Sequence, residues 1–185
     1  MPQVKRLKAA THRFLKENRN MKIKNVFDEI FSIDNLYAAL EDASQGRRYN
    51  KDALIYNLDV WAMVQEIRNE IFNGTYSIDR YYIFYVYEPK RMIMSISFKH
   101  RIVQWAIYRV INPVLVKGYI EDSYGCIPGR GSLSAMQRLK YWVVMASRKE
   151  EQWFYLKLDI SKYFYRISHR VLKKILAKKI KDKRL

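Results

Sequence analysis

One change of rhythm, between Tyr81 and Ser97, constrains this chain more than any other feature. Tyr82-Ile83-Phe84-Tyr85-Val86-Tyr87 is entirely aromatic or β-branched, Glu88-Pro89-Lys90-Arg91 has turn character, and Met92-Ile93-Met94-Ser95-Ile96 follows. Side chains of these kinds suit a pleated surface, so the two runs predict a β-hairpin with a basic tip. On both sides the apolar period is helical instead. Ser32 caps a predicted helix with Ile33, Leu36, Tyr37 and Leu40 on one face, and Gln45-Gly46-Arg47-Arg48 breaks it. Leu54, Leu58, Trp61, Ile67 and Ile71 recur at helical spacing from Asp52 to Asn73, with Gly74 as the stop. After the hairpin, residues 99–112 place Ile102, Val103, Ala106, Ile107 and Val110 inward, and Pro113 ends the run. A Gly/Pro-rich loop over 123–132 precedes a helix over 133–146. The class is α+β, rich in helix.

A second stretch alternates cleanly. In Phe154-Tyr155-Leu156-Lys157-Leu158-Asp159-Ile160 the odd and even positions of a strand face opposite ways. Phe154, Leu156, Leu158 and Ile160 would share an apolar face, and Tyr155, Lys157 and Asp159 the other. After Ser168 a last helix directs Val171, Leu172, Ile175, Leu176 and Ile180 inward and ends in a basic tail from Lys178 to Leu185. No internal repeat interrupts this order.

Charge narrows the partners. Lys+Arg 35 against Asp+Glu 18 leaves a net +17, an excess that attracts polyanions, nucleic acid first among them. Residues 1–25 carry eight Lys/Arg and one acid, Glu17, and read as a basic helical arm or a solvated leader. With 49% hydrophobic and 15% aromatic residues the chain can bury a core, which argues against disorder. A single cysteine, Cys126, allows no internal disulfide and suits a reducing compartment. No segment has signal-peptide character or approaches the roughly 20 apolar residues of a membrane span. A cytoplasmic protein with no membrane partner is expected.

Three blocks, in order, carry a resemblance. The first is Glu88-Pro89-Lys90-Arg91 followed by Phe98-Lys99-His100-Arg101-Ile102-Val103-Gln104-Trp105-Ala106. The second is Ser123-Tyr124-Gly125-Cys126-Ile127-Pro128-Gly129-Arg130-Gly131, with Ala135 downstream. The third is Asp159-Ile160-Ser161-Lys162-Tyr163-Phe164, continuing to Ile167-Ser168-His169. They resemble the fingers and first palm motif of reverse transcriptases (RNA-directed DNA polymerases) of the bacterial group II intron, retron and diversity-generating types. His100 stands where that family usually has Asp, which puts a capping acid or local salt bridge in question. The short tip lacks the longer Gly-containing turn common in intron enzymes and leans towards the other types.

The resemblance implies a basic arm over 1–25, fingers over 26–150 and the start of a palm over 151–185, with one palm strand. Nucleotidyl transfer needs divalent metal, because charge builds on attacking, leaving and non-bridging oxygens together. Magnesium, or manganese in its place, takes hard oxygen ligands. By resemblance, Asp159 is the catalytic carboxylate and a metal ligand, with the Ile160 carbonyl as another. Phe164 would lie under the sugar and exclude a 2′-hydroxyl, although Tyr163 and Tyr165 leave the register open by one. The Lys162 and Tyr163 amides would hold the incoming triphosphate, as turn amides can. Lys90 and Arg91 would neutralise that triphosphate, the main contact being either. Lys99, Arg101 and Arg130 would meet phosphates of template or primer. Gly125, Gly129 and Gly131 suit close approach to a strand or simply a tight loop. His100 and His169 read as surface or capping residues, with no zinc cluster.

The family's Tyr-x-Asp-Asp hairpin, which supplies the remaining carboxylates, is not among these residues. Tyr119-Ile120-Glu121-Asp122 mimics it but precedes the first palm motif and leads into the second block. The chain alone is therefore expected to be inactive, and its apolar palm face to favour self-association. Its partners would be an RNA template, a DNA or RNA primer and dNTP. The alternative is a catalytically inactive nucleic-acid-binding module derived from a reverse transcriptase.

Overall fold

The structure is a computed structural model, and it describes residues 22–47, 51–88, 90–149 and 152–185. The amino-terminal basic arm lies almost wholly outside them. The described residues fall into two compact units, one formed by Ile23–Val114 with Lys181–Leu185, the other including Leu115–Ile180. This division lies inside a helix.

The first unit begins with α1 (Phe27–Ile30) and α2 (Ile33–Ser44). Ser32 starts α2 as expected, its hydroxyl accepting the Asn35 N–H at 3.3 Å. The apolar run from Asp52 divides into α3 (Lys51–Leu58) and α4 (Val60–Phe72). Asp59 causes the break: its carboxylate accepts the Ala62 N–H at 3.0 Å, capping a new helix. The division turns the expected stripe out of register, so Leu54, Leu58 and Trp61 are exposed while Ala53, Val64 and Ile67 are buried.

α2 packs against α4, and α5 (Phe98–Val116) contributes to the same core. The most enclosed side chains are Ile30, Leu36, Leu40, Val64, Ile67 and Ile102. α5 runs past Pro113, where an end was expected, because a proline removes only its own N–H bond and the chain can continue with a kink. Asn35 ties α2 to α5. Its amide donates to the Ile30 and Ala106 carbonyls at 2.8 and 3.1 Å and its oxygen accepts from Arg109 at 3.1 Å. The carboxyl-terminal residues close the unit from far along the chain. Asp182 accepts the Phe27 N–H at 2.9 Å and so caps α1, Lys181 donates to the Ile23 carbonyl, and Arg184 pairs with Asp28 at 2.9 Å. The backbone N–H groups of Phe27 and of Arg184, the latter at 3.0 Å, hold Asp182 below the usual carboxylate range.

β1 (Tyr82–Tyr87) and β2 (Lys90–Ser95) form the expected antiparallel hairpin, in register from Tyr82 opposite Ser95 to Tyr87 opposite Lys90. Both strands are largely exposed.

The second unit holds α6 (Ser132–Ser147), α7 (Tyr163–Arg166) and α8 (His169–Lys179). Residues 153–160, expected as a palm strand, do not form one. A strand is defined by its partner's hydrogen bonds, and among the described residues none runs alongside. The alternation is present as a pattern without a ladder: Phe154, Leu156, Leu158 and Ile160 are all exposed. Nor does α8 bury its apolar face, Val171, Leu172 and Ile175 remaining exposed. Ile127 is the buried apolar side chain among the described residues of this unit.

Candidate nucleic-acid interface

Alternation decides which basic residues of the hairpin work together. Tyr82, Phe84 and Val86 share one face of β1, and their partners Ser95, Ile93 and Arg91 share it on β2. Lys90 pairs with Tyr87 and lies on the opposite face, with Tyr85 and Met92. The two tip cations, equivalent in the sequence, therefore point to different sides.

On the Arg91 face, at the base of the hairpin, a cavity of about 240 Å³ opens between Arg47, Arg101, Tyr82, Phe84, Ser95 and Phe98. Arg47 is the residue after Gly46, which turns with φ of 70° beyond the end of α2. None of the lining residues is acidic. The Arg101 Nε is buried and has no hydrogen-bond partner among the described residues. Desolvation, and after it the neighbouring Arg47 charge, pull Arg101 below its ordinary value.

Next to Arg101 in the first turn of α5 stands His100. This side chain, expected at the surface or as a cap, is 2% exposed. Its Nδ1 lies 2.8 Å from the Tyr76 hydroxyl and its Nε2 2.8 Å from Asp79 Oδ1. The Asp79 backbone N–H also lies 3.2 Å from Nε2, and which ring nitrogen donates is set by the tautomer. Hydrogen bonding to His100 keeps Asp79 below the usual carboxylate range, and burial pushes Tyr76 up to about 12. The segment leading into β1 is thus clamped to the first turn of α5. The acid at this point of the fold is Asp79, and His100 is its partner.

Lys99 is already engaged. Its ammonium reaches Glu66 at 3.0 Å and also pairs with Glu70. Partial desolvation works against its charge, but the two carboxylates outweigh it and raise Lys99 above its ordinary value. Its charge is spent inside the protein, in contrast to Arg101.

In the second unit the Ser-Tyr-Gly loop is organised from within. Arg130 donates to the Glu121 and Ser123 carbonyls at 2.8 and 3.4 Å. Ile127-Pro128-Gly129-Arg130 is a tight turn closed by Arg130 N–H to the Ile127 carbonyl at 3.0 Å. Gly129 there has φ of 74°, which a side chain would strain. Asp122 accepts from Arg138 and Tyr124 at 2.8 and 3.1 Å. Desolvation pushes its carboxyl up, yet these bonds prevail and hold it low. The Tyr-Ile-Glu-Asp mimic is thus a loop anchor.

Asp159 and Ile160 are exposed on the unpaired segment. Lys162 follows in a left-handed turn, φ 52°, that starts α7. Tyr163 and Phe164 are exposed, their rings 5.3 Å apart. Among the described residues no three His, Cys, Asp or Glu side chains form a group that could hold a metal. No family model matches the chain, and no curated protein matches it. Arg47, Tyr82 and Phe84 line the cavity and were not singled out by sequence reading. The period of two along β1 was the available signal for the aromatics, whereas Arg47 follows a glycine break and carried none.

Proposed function

We propose that this chain is the fingers and first palm motif of an RNA-directed DNA polymerase of the bacterial group II intron, retron or diversity-generating type. The observation that carries this reading is the hairpin Tyr82–Tyr87/Lys90–Ser95 with its basic tip, running directly into a helix that begins at Phe98. That is the local structure the first of the three ordered blocks calls for. The net charge of +17 supports a polyanionic partner.

In this reading the Arg91 face of the hairpin carries nucleic acid and the triphosphate is met at the tip. Asp159 and the Ile160 carbonyl would bind magnesium or manganese, completed by carboxylates of a Tyr-x-Asp-Asp motif. The metals would stabilise the charge of nucleotidyl transfer. Lys162, Tyr163 and Phe164 would frame the dNTP. Template RNA and a DNA or RNA primer are the macromolecular partners, and the exposed row from Phe154 to Ile160 is the surface for self-association. Among the described residues, no helix is long and apolar enough to cross a membrane.

The test is DNA synthesis on an RNA template by the protein read through its whole open reading frame. Asp159→Asn keeps size and hydrogen bonding while removing the charge, so synthesis should fall by orders of magnitude with RNA binding unchanged. Undiminished synthesis would show Asp159 to be an ordinary turn residue.

A further inference from the structure

We infer that the cavity between Arg47 and Arg101 is a phosphate site for a single nucleotide bearing a terminal phosphate. The inference deepens the nucleic-acid reading of the same hairpin face.

Three observations converge on this ligand. The first is charge: two guanidinium groups share one cavity with no carboxylate in its lining. Guanidinium forks fit phosphate oxygens in pairs. A phosphomonoester carries about −1.5 to −2 at neutral pH, so it balances both cations, whereas an internal phosphodiester balances one. The second is satisfaction: the Arg101 Nε is buried without a partner among the described residues, a cost that an acceptor in the cavity removes. The third is shape and lining. A volume of about 240 Å³ is just below the roughly 300–1,000 Å³ of small-molecule sites. It admits one nucleotide and no duplex. Tyr82 and Phe84, both half-exposed, offer faces on which a base can stack.

The hairpin also provides the continuation. Arg91 lies on the same face as Phe84 and Tyr82 and four residues from Ser95, roughly 13 Å along the strand. A strand whose phosphorylated end enters the cavity would pass Arg91 with its next phosphates. Lys99, one residue from His100 and paired with two acids, contributes nothing here.

The test compares a short single-stranded RNA carrying a 5′-phosphate with the same RNA carrying a 5′-hydroxyl, by fluorescence anisotropy on the whole chain. The phosphorylated form should bind about tenfold more tightly, the ratio that one charge-assisted hydrogen bond supplies. Arg47→Gln should erase the difference, and the control Lys24→Gln should leave the difference intact. Arg47 follows α2 outside the core, and Arg101→Lys gives a second readout that keeps the charge but loses the planar fork. Adenosine 5′-monophosphate competing away the phosphate-dependent part, with inorganic phosphate failing to, supports a nucleotide rather than a bare anion. Tight binding of the monophosphate without any preference between the RNAs assigns the cavity to a free nucleotide. Equal binding of both RNAs, with no competition by the monophosphate, overturns the site while leaving a salt-sensitive interface intact. Failure to bind any RNA removes the interface reading, and the monophosphate arm then judges the cavity alone.

Discussion

Replacing Tyr76 with Phe removes one oxygen, and the structure says what that oxygen holds. Its hydroxyl lies 2.8 Å from Nδ1 of His100, a ring only 2% exposed. The other ring nitrogen is already bound to Asp79 at 2.8 Å. No solvent can replace the lost partner at so buried a nitrogen, so the full penalty for an unsatisfied group applies, about 1–3 kcal/mol. For a cooperative unit of roughly 100 residues each kcal/mol corresponds to about 4–8 °C in melting temperature. Tyr76→Phe should therefore lower the melting temperature by roughly 4–24 °C in thermal denaturation followed by far-ultraviolet circular dichroism. A double change with His100→Leu removes both partners, so its cost should be less than the sum of the single costs. The phenol also predicts an alkaline signature. Its raised value, about 12, stabilises the fold below the unfolded tyrosine value near 10, and that contribution is lost as pH rises through 12. Spectrophotometric titration should show one tyrosine ionising late, and Tyr76→Phe should abolish that phase. A variant melting within about 1 °C of the parent would refute the claim that this hydroxyl satisfies His100.

Further outcomes follow from the same geometry. RNA binding should weaken steeply between about 50 and 200 mM salt, and affinity indifferent to salt would exclude an electrostatic interface. Arg91→Ala should reduce that salt slope by about one ion, whereas Lys99→Met should barely change it, because Glu66 and Glu70 already neutralise Lys99. Asp79 and Asp182 are both held below their ordinary values. Their contribution is therefore complete above pH about 4 and lost as pH falls through the lowered values; Asp79→Asn and Asp182→Asn should flatten the acid limb of a stability–pH curve. In the protein read through its whole frame, Phe164→Ala should raise ribonucleotide incorporation relative to deoxyribonucleotide, measured by primer extension. Sedimentation at rising concentration should show self-association through the row from Phe154 to Ile160, and Leu156→Lys with Leu158→Lys should suppress it.

What the sequence determined by itself was local. The hairpin, the Ser32 cap, the glycine-rich loop and the last helix depend on side-chain branching, capping and backbone freedom within a few residues. Those properties are present in the chain before it folds. Tertiary structure decided whatever needed a distant partner. His100 is buried because Tyr76 and Asp79 lie across from it, and Asp182 caps α1 from 155 positions away. Arg47 became a cavity wall only when α5 brought Arg101 beside it. Residues 153–160 show the converse: alternation can prepare an edge, but a strand exists only when a second backbone supplies the hydrogen bonds. Whether Lys90 and Arg91 act together was likewise undecidable from their adjacency, since pairing with Tyr87 and Val86 sends them to opposite faces.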